Sequence, residues 1–130
     1  MSALSDFAEK LVLDFLMTNG SATRPTNRYI ALFTAAPSDS GGGTEVSGNG
    51  YARQSATFNA ASSPGGTTSN SNAPSFTAAG GSFGTVTHIG IFDALTVGNL
   101  LWHGAMTASK TVADGDTLEF SIGNIDLAIA

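Results

Sequence analysis

Beyond Gly20 the chain has no helical period. Short apolar runs alternate with clusters of Gly, Asn, Asp, Ser and Pro for the remaining 110 of its 130 residues. Runs of this length have only one way to satisfy their backbone, which is to pair with one another as strands. RYIALFT (Arg28–Thr34) is the most apolar and is placed centrally. YARQSATFNAA (Tyr51–Ala61) alternates, which puts Ala52, Gln54, Ala56 and Phe58 on one face and Tyr51, Arg53, Ser55 and Thr57 on the other. PSFTAA is a short strand closed by Gly80-Gly81. GTVTHIGIF (Gly84–Phe92) and LLWHGAMT (Leu100–Thr107) flank a turn at Val97-Gly98-Asn99 and form a hairpin. In that strand Val86, His88, Gly90 and Phe92 are expected to face one way. Asp114-Gly115 marks a further turn. LEFSI then turns Leu118, Phe120 and Ile122 inward, and IDLAIA places Ile125, Leu127 and Ile129 on one face. About seven short strands with no interspersed helices argue against a parallel α/β sheet. They predict a mainly β fold, an antiparallel β-sandwich that is jelly-roll-like.

One helix precedes the strands. Leu4, Phe7, Ala8, Leu11 and Phe15 recur at helical spacing, Ser5 is placed to cap, and Asn19-Gly20 is a stop signal. The spacing predicts an amphipathic helix over Leu4–Thr18. Val12, Leu13, Leu16 and Met17 widen its apolar surface beyond one stripe, so the helix must be sunk into its own domain or docked on another chain. The expected organisation is a single domain over 1–130, with the helix in 1–20 and the sandwich in 21–130.

Charged residues are 12% of the chain, against roughly 25% in an average soluble domain. Sixteen glycines and many Ser, Thr, Asn and Ala take their place. The net charge is −5, and the five basic residues Lys10, Arg24, Arg28, Arg53 and Lys110 are scattered, which argues against a nucleic-acid partner. No apolar run approaches a membrane span, and the first residues do not read as a signal peptide. There is no cysteine, hence no disulfide framework or thiolate chemistry. A surface of Gly, Ser and Thr does little to keep a monomer apart from its neighbours, whereas assembly interfaces are depleted in charge at their cores. The composition therefore points to a subunit covered by other chains.

Several residues carry the look of chemistry. GGSFG (Gly80–Gly84) matches the pattern around a nucleophilic serine, and Asp93 and His103 follow Ser82 in an order hydrolases use. The motif needs a helix directly after the serine, however, and a strand follows here. His88, His103 and Asp93 include metal-ligand types, but His88 and Asp93 are an odd number of positions apart and point to opposite faces. Asp114 and Asp116 resemble half of a calcium loop that Glu119 closes too early. Trp102, Tyr29 and Tyr51 offer aromatic surface for a sugar or a protein, with burial the commoner fate. Arg53 is read as a partner in a structural salt bridge. No catalytic residue, metal site or cofactor is assigned.

Four stretches taken together resemble a family of small bacteriophage virion structural proteins, described as tail-fibre-like or as capsid decoration proteins. They are RYIALFTAAPSDSGGGTEVSGNGYARQSATF, FGTVTHIGIFDA, GNLLWHGAMT and KTVADGDTLEFSIGNIDLAI. The resemblance spans nearly the whole chain from Arg28 onward and brings no catalytic residues. It implies a non-enzymatic virion component assembled in the bacterial host cytoplasm. The favoured expectation is a capsid cement protein that binds the major capsid protein and itself, as a homotrimer. A tail- or fibre-associated module that contacts tail proteins or a host glycan is the alternative. The helix is the first candidate for docking. The loops Ala35–Gly50 and Ala60–Ala73 are the second.

Overall fold

A computed structural model describes residues 2–129, apart from the side chain of Ser2; Met1 and Ala130, the outermost residues of the expected domain, lie outside the described residues. In chain order the elements are β1 (Ser2–Leu4), α1 (Asp6–Met17), β2 (Tyr29–Ala35), β3 (Thr44–Glu45), β4 (Gln54–Ser55), β5 (Thr67–Ser69), β6 (Ser75–Thr77), β7 (Gly84–Phe92), β8 (Leu100–Val112), β9 (Thr117–Glu119) and β10 (Asp126–Ala128). The fold is mainly β and antiparallel, with one helix near the N-terminus, as the alternation of short runs and turns requires.

The large sheet runs β1-β8-β7-β2-β3, with β4 also paired to β2. Two ribbons, β5/β10 and β6/β9, form the other layer. Ile30, Leu32, Val86, Ile91 and Leu101 from the sheet meet Phe76, Leu118, Phe120, Ile125 and Leu127 from the ribbons in one apolar core. Burying such side chains stabilises by roughly 1.5–3 kcal/mol each, and this is the main force holding the two layers together. Asn70 is fully buried among them. Its Nδ2 donates to the carbonyls of Asn72 (2.7 Å) and Ser121 (3.0 Å), and its Oδ1 accepts from Ile125 N (2.8 Å). One side chain thus ties three backbone segments of the ribbon layer.

Part of the other face of the sheet is buried too. Phe33 and Phe92 stack with ring centroids 6.3 Å apart, and Ala8, Ala31, Phe33 and Leu100 are all buried. Gly90 lies beneath this cluster. A Cβ there would stand 2.9 Å from Phe33, 3.0 Å from Leu100 and 3.2 Å from Phe92. Gly90→Ala should therefore overpack the face and cost about 1–3 kcal/mol. The check is a lower urea midpoint with an unchanged denaturant slope.

Local alternation fails where the ladder is irregular. Between Val86↔Lys110 and His88↔Ala105 the register shifts, with one residue of β7 against four of β8. The shift breaks the period of two. Val86 consequently sits in the core with Ile89 and Ile91, and not on the face of His88 as alternation implied. The helix begins at Asp6, and Leu4 pairs with Trp102 in β1. Ser5 is buried at this junction: its hydroxyl donates to Leu100 O and accepts from Ala8 N at 3.1 Å. It caps the helix while holding the residues before it against the sheet. Tyr51–Phe58 is ladder only at β4, so it turns Arg53 inward and Ala52 outward. Ile122, expected inside, is 67% exposed because it lies past the end of its ribbon, and Ile129, likewise past its ribbon, is 54% exposed.

Candidate functional site

The most organised polar cluster is built on Arg53, which is buried in this charge-poor protein. Arg53 Nε donates to Glu45 Oε2 and Nη2 to Oε1, both at 2.9 Å. Nη1 donates to the carbonyls of Ala94 (2.9 Å) and Val97 (2.8 Å), and the guanidinium lies 3.7 Å above the Phe92 ring. Tyr51 Oη donates to Glu45 Oε2 at 2.6 Å and accepts from Leu32 N at 3.1 Å. Glu45 reaches the cluster from the end of the glycine-rich loop. That loop turns back tightly at Gly43, where φ is +74° and a Cβ would lie 2.7 Å from Ala35 O. The 93–99 turn is held on its other side by Asp93, which accepts from Asn99 N (2.7 Å) and Nδ2 (2.9 Å). These bonds keep Val97 at φ +54°, a conformation rare for a β-branched residue. The cluster pins two loops to the sheet, and its charges neutralise each other.

Burial acts to raise the Glu45 carboxyl, but hydrogen bonds from Arg53 and Tyr51 and the guanidinium charge outweigh it, so the group ionises below its ordinary 4.5. Burial and the bond to Glu45 push the Tyr51 phenol above its ordinary 10.0, against the opposing Leu32 N–H. Burial likewise opposes the Arg53 charge, and Glu45 more than compensates, raising it. For Glu45 the lowered folded value means stability that is complete above about pH 4.5 and is lost as pH falls through that lowered value. For Tyr51 the raised value means stability present below pH 10 and lost as pH climbs beyond it. The thermal midpoint measured across pH should fall at both ends, and Glu45→Gln should flatten the acid limb.

The residues that suggested catalysis are engaged elsewhere. Ser82 Oγ donates to Val112 O at 2.8 Å and accepts from Gly84 N at 2.9 Å. Asp93 binds Asn99, and His103 Nε2 is 2.7 Å from Asp39 Oδ1. Ser82 and Asp93 flank opposite ends of the nine-residue β7, roughly 30 Å apart at strand spacing, so they form no triad. His88 Nδ1 is 2.8 Å from Thr87 Oγ1, and no three His, Asp or Glu converge among the described residues. Asp114 accepts from Gly80 N at 3.0 Å and Asp116 from Ala113 N at 3.1 Å, which makes them turn residues. Tyr51 stacks on Phe76 (6.1 Å) and meets Phe83 edge-on (5.8 Å). Trp102 packs against the core at a groove of about 630 Å³ beside β8, and Tyr29 lines a different cleft. The three aromatics share no platform. Every buried polar side-chain atom among the described residues has a partner, so none is left aimed at a ligand.

The exposed helix is the exception to this self-sufficiency. Only Ala8 of α1 is buried, whereas Leu13, Phe15, Leu16 and Met17 are 60–76% exposed. Glu45 and Asn70 escaped sequence reasoning because neither sits in a spaced motif. The one available signal for Glu45 was its place as the sole charge in the run leading to Tyr51 and Arg53.

The described residues form a charge-poor antiparallel β body whose buried polar side chains pair internally, with a largely exposed helix at one end of the chain. The family model described as Podophage GP4 fiber I protein gp80 matches residues 3–128. The chain belongs to this phage fibre protein family, and its place is the virion. No curated protein sequence matches it.

Proposed function

We propose that the chain is a non-enzymatic subunit of a phage fibre and acts by packing against copies of itself and neighbouring tail proteins. The observation that carries this reading is the family match over residues 3–128. The low charge supports it physically: contacts through Gly, Ser, Thr and Ala desolvate at small cost, and assembly then stabilises the bound state by mass action. Cryo-electron microscopy of virions with a labelled chain tests the placement. Density at the tail fibres is the expected result. Copies spread over the shell and touching the major capsid protein would replace the fibre reading with the capsid cement reading. Turnover of ester or glycoside substrates that disappears in Ser82→Ala would overturn the non-enzymatic assignment.

A further inference from the structure

We infer that the cleft between the approach to β2 and the segment after β4 binds an acidic saccharide, with the Arg28 guanidinium holding its carboxylate. The cleft has a volume of about 510 Å³, within the range of small-molecule sites and far more than an inorganic anion fills. Residues 26–29 form one wall and 55–59 the other. Ala56 N donates to Arg28 O at 2.9 Å and ties the two walls together. The Arg28 side chain is half-buried there, and its Nη2 donates to Pro25 O at 2.9 Å. No carboxylate pairs with it among the described residues, whereas Arg53 is matched by Glu45 and Lys10 by Asp14.

The chemistry of the walls selects the ligand. The groove beside β8 is lined by Glu119 and Asp126, and the cleft over Arg53 by Asp6, Asp39 and Glu45; no acidic residue lines this one. In a chain of net charge −5, an anion here meets a guanidinium with no competing carboxylate in the walls. The planar fork of arginine fits a carboxylate through two parallel hydrogen bonds. Around it stand groups suited to sugar hydroxyls. The Asn27 amide and the Tyr29 hydroxyl are unengaged within the described residues. Asn59 Nδ2 donates to Ser69 O at 3.2 Å, which leaves its Oδ1 to accept. Phe58 is half-buried in the same cleft and offers an apolar wall to the C–H face of a pyranose. A bare phosphate ion would use the guanidinium and none of these.

Titration of the isotope-labelled full chain, followed by amide shifts, tests the inference. The probes are sodium D-glucuronate, D-galacturonate and N-acetylneuraminate, with D-glucose and D-galactose as neutral counterparts and inorganic phosphate as an anion without a sugar. At least one acid should bind with a Kd on the order of 1 mM, about tenfold or more tighter than the neutral sugars and phosphate. The shifts should centre on residues 26–29 and 55–59. Arg28→Gln should weaken that binding about tenfold, and Arg24→Gln, an exposed residue outside the cleft, should leave it unchanged. If Arg28→Gln fails to fold, the location of the wild-type shifts decides. Failure of all three acids to bind overturns the inference, as do shifts centred elsewhere or binding that Arg28→Gln leaves intact. Equal affinity for a neutral sugar removes the role of Arg28, and equal affinity for phosphate reduces the cleft to a plain anion site; either result overturns the acidic-saccharide assignment. The titration needs no particle, so it can fail while the fibre placement stands, and the reverse.

Discussion

Arg53→Ala should lower the unfolding free energy by about 3 kcal/mol, near the lower end for a broken buried ion pair because Glu45 keeps some contact with water. The Arg53 side chain is 7% exposed and that of Glu45 26%. Removal strands the Glu45 carboxylate and frees the Ala94 and Val97 carbonyls. It also strips the cation from the Phe92 ring. Urea unfolding followed by the fluorescence of Trp102, the single tryptophan, measures the loss. Glu45→Met/Arg53→Met should cost clearly less than the sum of the two single changes, since no charge is then left alone. Strict additivity would mean that the pair, although in contact, is not coupled.

Asn70→Ala should cost a comparable amount, about 3 kcal/mol. It leaves Ile125 N and the carbonyls of Asn72 and Ser121 without their partner, and unmet buried groups are penalised by about 1–3 kcal/mol each. Asn70→Asp separates geometry from hydrogen bonding. It keeps the shape and can still accept from Ile125 N, but as a carboxylate it cannot donate to the two carbonyls. Its loss should be at least as large at neutral pH and should shrink on acidification. A pH-independent loss would show that the carbonyl contacts contribute little.

Much of the fold was legible because its signals are local. Alternation in β7, Asp114-Gly115 and the spacing within α1 all act over a few residues. What escaped depends on partners distant in sequence. The shift at Val86–His88 reflects the extra residues of β8 opposite it, and the β7 sequence carries no trace of them. Arg53 reads as a polar-face residue until Glu45, eight positions earlier, and the 94–97 carbonyls close around it. Ser82, Asp93 and His103 stand in a suggestive order, but order along the chain says nothing about the length of strand between them.

The sequence by itself determined an antiparallel, charge-poor β protein led by an apolar helix, because turn chemistry, side-chain period and charge density are properties of short stretches. Only the tertiary structure decided that the helix stands almost uncovered, that Arg53 and Asn70 lie inside, and that the apparent catalytic residues never meet. Burial and pairing are set by residues far apart in the chain, and those become neighbours only when the layers close on the core.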